Sequence, residues 1–368
     1  MIQSLQERPM SGHHDHSHHH HDDEGLPSLE EIRRVLADLP GPDLESATAA
    51  MQREQTLLKP PGALGRLEEL VQWLATWQGK APPELTHPRI VIFAGAHGVA
   101  QRGVSAYPPA VTGQMVQAFI NGHAAINQLA ELHDADLRVH EMDLDHPTAD
   151  FTQGPAMSEE VCARAAAYGM MAIEPGLHLL CLGEMGIGNT TSAAALCAAL
   201  FGGPASDWVG PGTGVDSEGI KRKIAAVEAG LAANPTALTD PFEALRCLGG
   251  QELAAIMGAI IACRLARVPV VLDGFACTAA AAVLYKADPK ALDHCIVAHR
   301  SAEPGHARLL TAINKRPLFE FDMRLGEASG AALTIPVLRS ALACHLNMAT
   351  FAEAGVSAKG EKPAGSVH

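Results

Sequence analysis

Apolar positions from 28 to 77 recur three and four residues apart, with Leu67, Leu70, Val71 and Leu74 forming one stripe. That spacing predicts a half-buried helix over 64–77. Ser28 and Glu31 have the spacing of a capping box and predict a helix over 28–39. A further helix is predicted over 43–57, stopped by Pro60-Pro61-Gly62. After residue 88 the pattern changes to short, continuous apolar runs at 90–94, 137–142, 177–182 and 269–272. Each ends in a polar or glycine-containing loop and predicts a buried strand. Alanine-rich stretches at 111–132, 159–172, 191–200, 219–232, 252–265 and 278–285 predict helices between them. Such alternation builds a parallel sheet covered on both faces, an α/β fold whose ligands sit at the carboxyl ends of the strands. No internal repeat is evident.

With 368 residues, 47% of them hydrophobic, the chain can bury a large core. A net charge of −14 argues against nucleic acid and anionic membrane as partners. Only 4% of residues are aromatic, so base-stacking platforms are scarce. Eight cysteines are scattered without a C-x-x-C pair, as expected of reduced core thiols in a cytoplasmic protein. The beginning of the chain lacks the apolar segment of a signal peptide. The apolar stretch 253–271 is interrupted by Arg264 and Arg267, which argues against a membrane span. Residues 1–25 carry seven histidines among Asp15, Asp22 and Asp23, with too little apolar surface to fold. This leader is expected to be disordered and to bind Zn, Ni or Co loosely; a cloning remnant and a neutral solvated leader are the other readings. No catalytic metal site is expected.

Two segments carry candidate chemistry. From His178 to Thr191 an apolar run passes through Gly183-Glu184-Met185-Gly186-Ile187-Gly188 into Asn189-Thr190-Thr191 and an alanine-rich helix. Strand, glycine turn and helix start form an arrangement that binds phosphate through free N–H groups and the helix dipole. No lysine precedes the threonines, so the segment is not a Walker loop. Thr191 occupies the third-glycine position, so it is not the dinucleotide fingerprint either. A purely structural tight turn is the competing reading. The second segment, Met323 to Ala332, sets Glu327 among glycine, alanine and leucine. A carboxylate there either caps a helix start or, kept protonatable by burial, accepts a proton near neutral pH.

Several segments together resemble the nicotinate-nucleotide:dimethylbenzimidazole phosphoribosyltransferase family of cobalamin synthesis. They include Gly65 to Leu70, Phe93 to Val99, Ser105 to Pro108 with Val111 to Met115, and Gly183 to Thr191. Gly210 to Gly214, Leu272 to Phe275, Ser301 to His306 and Met323 to Ala332 follow in the family's order. The similarity spans about 40–355, and Asp150 to Met157 suggests the version of the aerobic pathway. The resemblance implies a Rossmann-like parallel sheet over 88–319 and a smaller helical domain built from 26–87 and about 320–355. A flexible tail is expected over 356–368.

The resemblance further implies transfer of phosphoribose from nicotinate mononucleotide to 5,6-dimethylbenzimidazole with inversion, without cofactor, by a homodimer. Glu327 would be the general base and Glu184 a second acid. Gly183, Gly186, Gly188, Asn189, Thr190 and Thr191, with Gly212, Thr213 and Gly214, would cradle phosphate and ribose. Lys223 would offer a point charge, and Ser301 and Gly305 a second phosphate-side loop. Ser105, Tyr107, Gln114 and Met115 would line the benzimidazole pocket. Ala96 departs from the family, which usually has Asp or Asn there; a modest change in loop stability or base affinity is expected. His97 is expected to orient its loop. Competing functions are transfer to another base, such as adenine or a phenol, and a non-catalytic nucleotide- or metal-binding protein.

Overall fold

The computed structural model describes residues 27–357, so the His-rich leader and nearly all of the expected tail lie outside the described residues. Six strands form one sheet: β1 (Pro88–Gly95), β2 (Asp136–Met142), β3 (Leu179–Met185), β4 (Val270–Leu272), β5 (Cys295–His299) and β6 (Pro317–Phe319). Their order is β2-β1-β3-β4-β5-β6, and every pairing is parallel. The chain runs outward from β1 to β2, then returns to the other side of β1 as β3. This reversal opens a crevice at the carboxyl ends of β1 and β3.

All eight residues of β1 are buried, which is why its sequence reads as an unbroken apolar run. Successive side chains still alternate between faces. Val91, Phe93, Leu180 and Leu182 enter the larger core, with the helices Asn189–Phe201, Gln251–Leu265 and Phe275–Ala287. Ile90, Ile92, Leu179 and Cys181 enter a second core, with the helices Ala125–Leu132 and Thr334–Asn347. Helix Leu29–Ala37 places Leu29, Ile32 and Leu36 in the larger core.

The structure differs from the periodicity in identifiable places. The stretch 111–132 forms two helices, Val111–Ile120 and Ala125–Leu132, rather than one. Gly122 takes a φ of +75° between them, and the Ala124 N–H donates to Asn127 Oδ1 at 3.1 Å, opening a new helix. Strands β5 and β6 were not expected; β6 is only half-buried, and the apolar part of β5 is four residues set between His294 and His299. Helix Pro241–Leu248 was also not expected, although Asp240 caps it and Pro241 opens it.

Helices Arg66–Gln78 and Thr334–Asn347 line the second core, and helix Leu44–Thr56 is joined to them by buried charges. Lys59 Nζ donates to Glu54 Oε2 at 2.9 Å and to Glu68 Oε1 at 2.8 Å. His345 Nδ1 lies 2.6 Å from the other Glu54 oxygen. Buried charges persist when paired in this way, since removing one partner strands the other. The apolar run Ser329–Asn347 is long enough to cross a membrane by length and composition, yet 56% of it is buried inside the protein.

Candidate active site

Strand β3 delivers Glu184 to the crevice, one residue before its carboxyl end. The chain then turns through Gly186-Ile187-Gly188 into the helix Asn189–Phe201, which has no side-chain cap. Gly188 stands at the start of this helix with φ +96°, a left-handed conformation natural to glycine. A Cβ on Gly188 would press on Ala100 at 3.3 Å. The Ile187 N–H donates to Thr112 Oγ1 at 3.1 Å, which ties this turn to the helix beginning at Val111.

Glu327 reaches the same place from the opposite direction. Gly326, Glu327 and Ala328 are three consecutive left-handed residues, with φ of +80°, +60° and +58°. Two of them carry a Cβ, and each such residue costs on the order of 1 kcal/mol. The turn is anchored by the Glu327 N–H, which donates to the Glu184 carbonyl at 3.2 Å. Close approach here depends on Gly183, because a Cβ on it would collide with the Ala328 backbone.

Both carboxyls are buried. Burial pushes Glu184 up to about 8; a hydrogen bond from Asn189 Nδ2 opposes the shift, and Asp273, Glu252 and Glu327 add to it. Burial, reinforced by Asp273, pushes Glu327 up to about 7. Two acids poised at and just above neutrality are suited to proton transfer.

Beside the helix start, Lys223 Nζ donates to Thr190 Oγ1 at 3.0 Å and to the Gly210 carbonyl at 2.8 Å. Burial pulls this amine down to about 8, against the nearby Glu303. Glu303 Oε1 accepts the Gly212 N–H at 2.7 Å, and Arg324 Nη1 donates to the Gly212 carbonyl at 2.7 Å. Gly212 and Gly214 adopt φ of +56° and +117°.

These elements enclose a cleft of about 580 Å³, mouth included. Its wall includes Glu184, Gly186, Asn189, Thr190, Gly212, Thr213 and Ser301 among the residues expected from the sequence. Ser301 is fixed by its own N–H, which donates to His306 Nδ1 at 2.9 Å. The structure does not bring the remaining expected residues to this wall: Glu327 is buried next to the wall residue Gly326 without lining the cleft itself. Thr191 is fully buried, Lys223 nearly so, and Gly305 packs against Trp208 and Phe275. Ser105 accepts the Tyr107 N–H at 3.2 Å, while Tyr107 and Gln114 are exposed and Met115 packs against the second core. His97 is held by Glu252 at 2.6 Å and Ser192 at 3.0 Å, the loop-orienting environment expected of it. Ala96 leaves its carbonyl to accept the Thr148 N–H at 3.0 Å.

Sequence reasoning passed over His299, Glu303 and Arg324, which also face the cleft. The only signal was positional: each stands within or next to a segment at a strand end. Among the described residues, no group of three or more His, Cys, Asp or Glu side chains is arranged to hold a metal ion.

A family profile described as phosphoribosyltransferase matches residues 39–356. A nicotinate-nucleotide–dimethylbenzimidazole phosphoribosyltransferase of Brucella canis is 54% identical over 334 residues, 91% of this chain and 98% of the relative. The enzyme of the same name from Brucella melitensis biotype 1 is 53% identical over the same length. The chain belongs to this phosphoribosyltransferase family. The crystal structure of CobT from Thermus thermophilus superposes with a TM-score of 0.79 at 44% identity, covering 85% of this chain and 99% of that one. Family membership agrees with the parallel sheet and with an enzyme acting on small molecules.

Proposed function

We propose that this chain transfers the 5-phosphoribosyl group of nicotinate mononucleotide to 5,6-dimethylbenzimidazole, giving α-ribazole 5′-phosphate and nicotinate. The observation that carries the assignment of roles is Glu327, a buried carboxyl on a left-handed turn bonded to Glu184, with a proton affinity near neutrality.

An unprotonated benzimidazole nitrogen attacks ribose C1′ from the face opposite the pyridinium. The C1′–N bond to the pyridinium breaks, and its electron pair leaves with the nitrogen as nicotinate. Configuration at C1′ inverts. The remaining N–H proton of the attached benzimidazole passes to the Glu327 carboxylate. A positioned base of this kind contributes about two to four powers of ten, and alignment of the two rings contributes further. Glu184 retains its proton at pH 7 and serves as a hydrogen-bond donor to the ribose.

The turn Gly186–Gly188, the start of helix Asn189–Phe201 and the Gly212–Gly214 loop hold the phosphate, with Lys223 beneath them. Support comes from the helix dipole and from a lysine already aimed at Thr190. Ser105, Tyr107, Gln114 and Met115 belong to the benzimidazole side, which Thr112 joins to the glycine turn. The working enzyme is proposed to be a cytoplasmic homodimer; Ile120, Leu132 and Met171 are apolar and exposed. The smaller helical unit, completed by 320–355, and loose metal binding by residues 1–25 belong to the same proposal.

The test is direct. Purified protein given nicotinate mononucleotide and dimethylbenzimidazole is expected to yield α-ribazole 5′-phosphate, with adenine and phenol as competing acceptors. Preferred use of either competitor would replace the acceptor named here.

A further inference from the structure

Glu252, His97 and Ser192 form a chain of side chains behind the cleft. His97 lies in the loop after β1, Glu252 in the opening turn of helix Gln251–Leu265, and Ser192 in that of helix Asn189–Phe201. His97 Nε2 lies 2.6 Å from Glu252 Oε1, and its Nδ1 lies 3.0 Å from Ser192 Oγ. None of the three side chains has exposed surface. Serine, histidine and acid follow the order of a hydrolytic triad, but no substrate reaches a serine buried in this way.

Both ends of the chain back onto the candidate site. Ser192 shares its helical turn with Asn189, whose Nδ2 donates to Glu184 Oε2. The His97 carbonyl accepts the Ala100 N–H at 3.2 Å, and Ala100 is the residue that a Cβ on Gly188 would press on. At the other end, Glu252 Oε2 has no hydrogen-bond partner among the described residues. Gly95 and Gly250 make room for this carboxyl, since a Cβ on either would collide with it. Gly95 in turn supports the glycine turn: a Cβ on Gly186 would stand 2.9 Å from the Gly95 carbonyl. A buried carboxyl with one bare oxygen is costly, and nothing in the packing alone requires it.

We propose that Glu252 and Ser192, linked by His97, are positioning residues for Glu184: they fix the turn that carries Asn189 and stand a negative charge behind the acid. Glu184 is here the hydrogen-bond donor of the phosphoribosyl reading above, on which this inference rests. Burial is the main cause that lifts Glu184 to about 8, opposed by the Asn189 hydrogen bond. The charges that add to it are Asp273 from just after β4, Glu252 from its helix start and Glu327 from the left-handed turn. Glu327 itself is lifted by burial and Asp273, without Glu252. Removing the Glu252 charge therefore moves one acid of the pair and spares the other.

The experiment measures kcat against pH with both substrates saturating, so that the titration of Lys223 does not enter. Wild-type kcat is expected to fall as pH rises through about 8, where Glu184 loses its proton. Glu252→Gln keeps an oxygen for His97 Nε2 and removes the charge. It should lose about tenfold of kcat at about pH 8.5 and stay within about twofold of the wild type at about pH 6. Equal losses at both pH values, or none, would overturn the proposal. If Glu252→Gln does not fold, Ser192→Ala decides, since it suits a helix and removes only the hydroxyl. A nucleotide KM raised about tenfold, with the dimethylbenzimidazole KM within about threefold, supports the chain. Equal changes in the two constants, or none, overturn it. A wild type that forms no product removes the phosphoribosyl reading itself. A wild-type kcat that does not fall above about 8 removes the role of Glu184, and this inference with it. A wild-type fall that Glu252→Gln leaves in place removes only the chain behind the acid.

Discussion

The Glu327 N–H donates to the Glu184 backbone carbonyl, so the two buried acids are tied together through their main chains as well as through their charges. Neither backbone segment can shift without disturbing the other. This coupling leads to the first two predictions.

Glu327→Gln keeps the shape of the side chain but cannot accept a proton. Its kcat should fall about a hundredfold or more while both KM values stay within about threefold. In the wild type, kcat should decline as pH drops below about 7, where Glu327 takes up its proton. Stopped or continuous assays from about pH 5.5 to about 8.5 test both statements; near-wild-type turnover in the variant would return Glu327 to a structural cap.

The same burial carries a stability penalty with a defined sign. Glutamate ordinarily titrates near 4.5, whereas folded Glu184 and Glu327 titrate near 8 and 7. Between these values the folded chain holds more protons than the unfolded chain. Stability therefore declines as pH rises from about 4.5 to about 8 and levels off above. Glu184→Gln removes one titrating acid, so its melting temperature should exceed that of the wild type at about pH 8.5. The gap should close toward about pH 5. A gap that widens on acidification would contradict the assignment.

Lys223 supplies its charge only while protonated, and burial pulls that point down to about 8. The KM for nicotinate mononucleotide should be flat below pH 8 and rise above it, while the dimethylbenzimidazole KM does not follow. Lys223→Gln should raise the nucleotide KM by about tenfold or more at pH 7 and remove the dependence. A pH-independent nucleotide KM in the wild type would move the phosphate away from Lys223.

Gly183 tests the close approach of the two segments. In Gly183→Ala the new methyl meets the Ala328 backbone, which cannot yield as a flexible side chain would. The left-handed turn carrying Glu327 should be displaced. Loss of kcat by about tenfold or more should exceed the change in nucleotide KM, since a misplacement of about 1 Å is enough to cost two powers of ten. An active, fully stable Gly183→Ala would mean that the turn tolerates displacement.

Removing residues 1–25 should leave kcat and both KM values unchanged and abolish retention on a nickel column. A large loss of turnover would place the leader in the active site.

The framework, and the segments that carry the candidate chemistry, were legible in the chain itself. Unbroken apolar runs at β1 and β3, separated by alanine-rich helices, can be buried only as a two-sided parallel sheet. The turn from Gly183 to Thr191 announced a helix start at a strand end, and Glu327 stood out as an acid in apolar surroundings. What a linear pattern does not contain is distance. The meeting of Gly183 with Ala328 joins positions 145 residues apart, and no local period encodes it. Strands β5 and β6 were not legible because β6 is three half-buried residues and the apolar part of β5 is only four residues set between His294 and His299. His299 and Arg324 read as an ordinary histidine and an ordinary arginine until the sheet order placed them around one cleft. The raised proton affinities of Glu184 and Glu327 also belong to the tertiary structure, because burial and neighbouring carboxylates arise only when distant segments close over them.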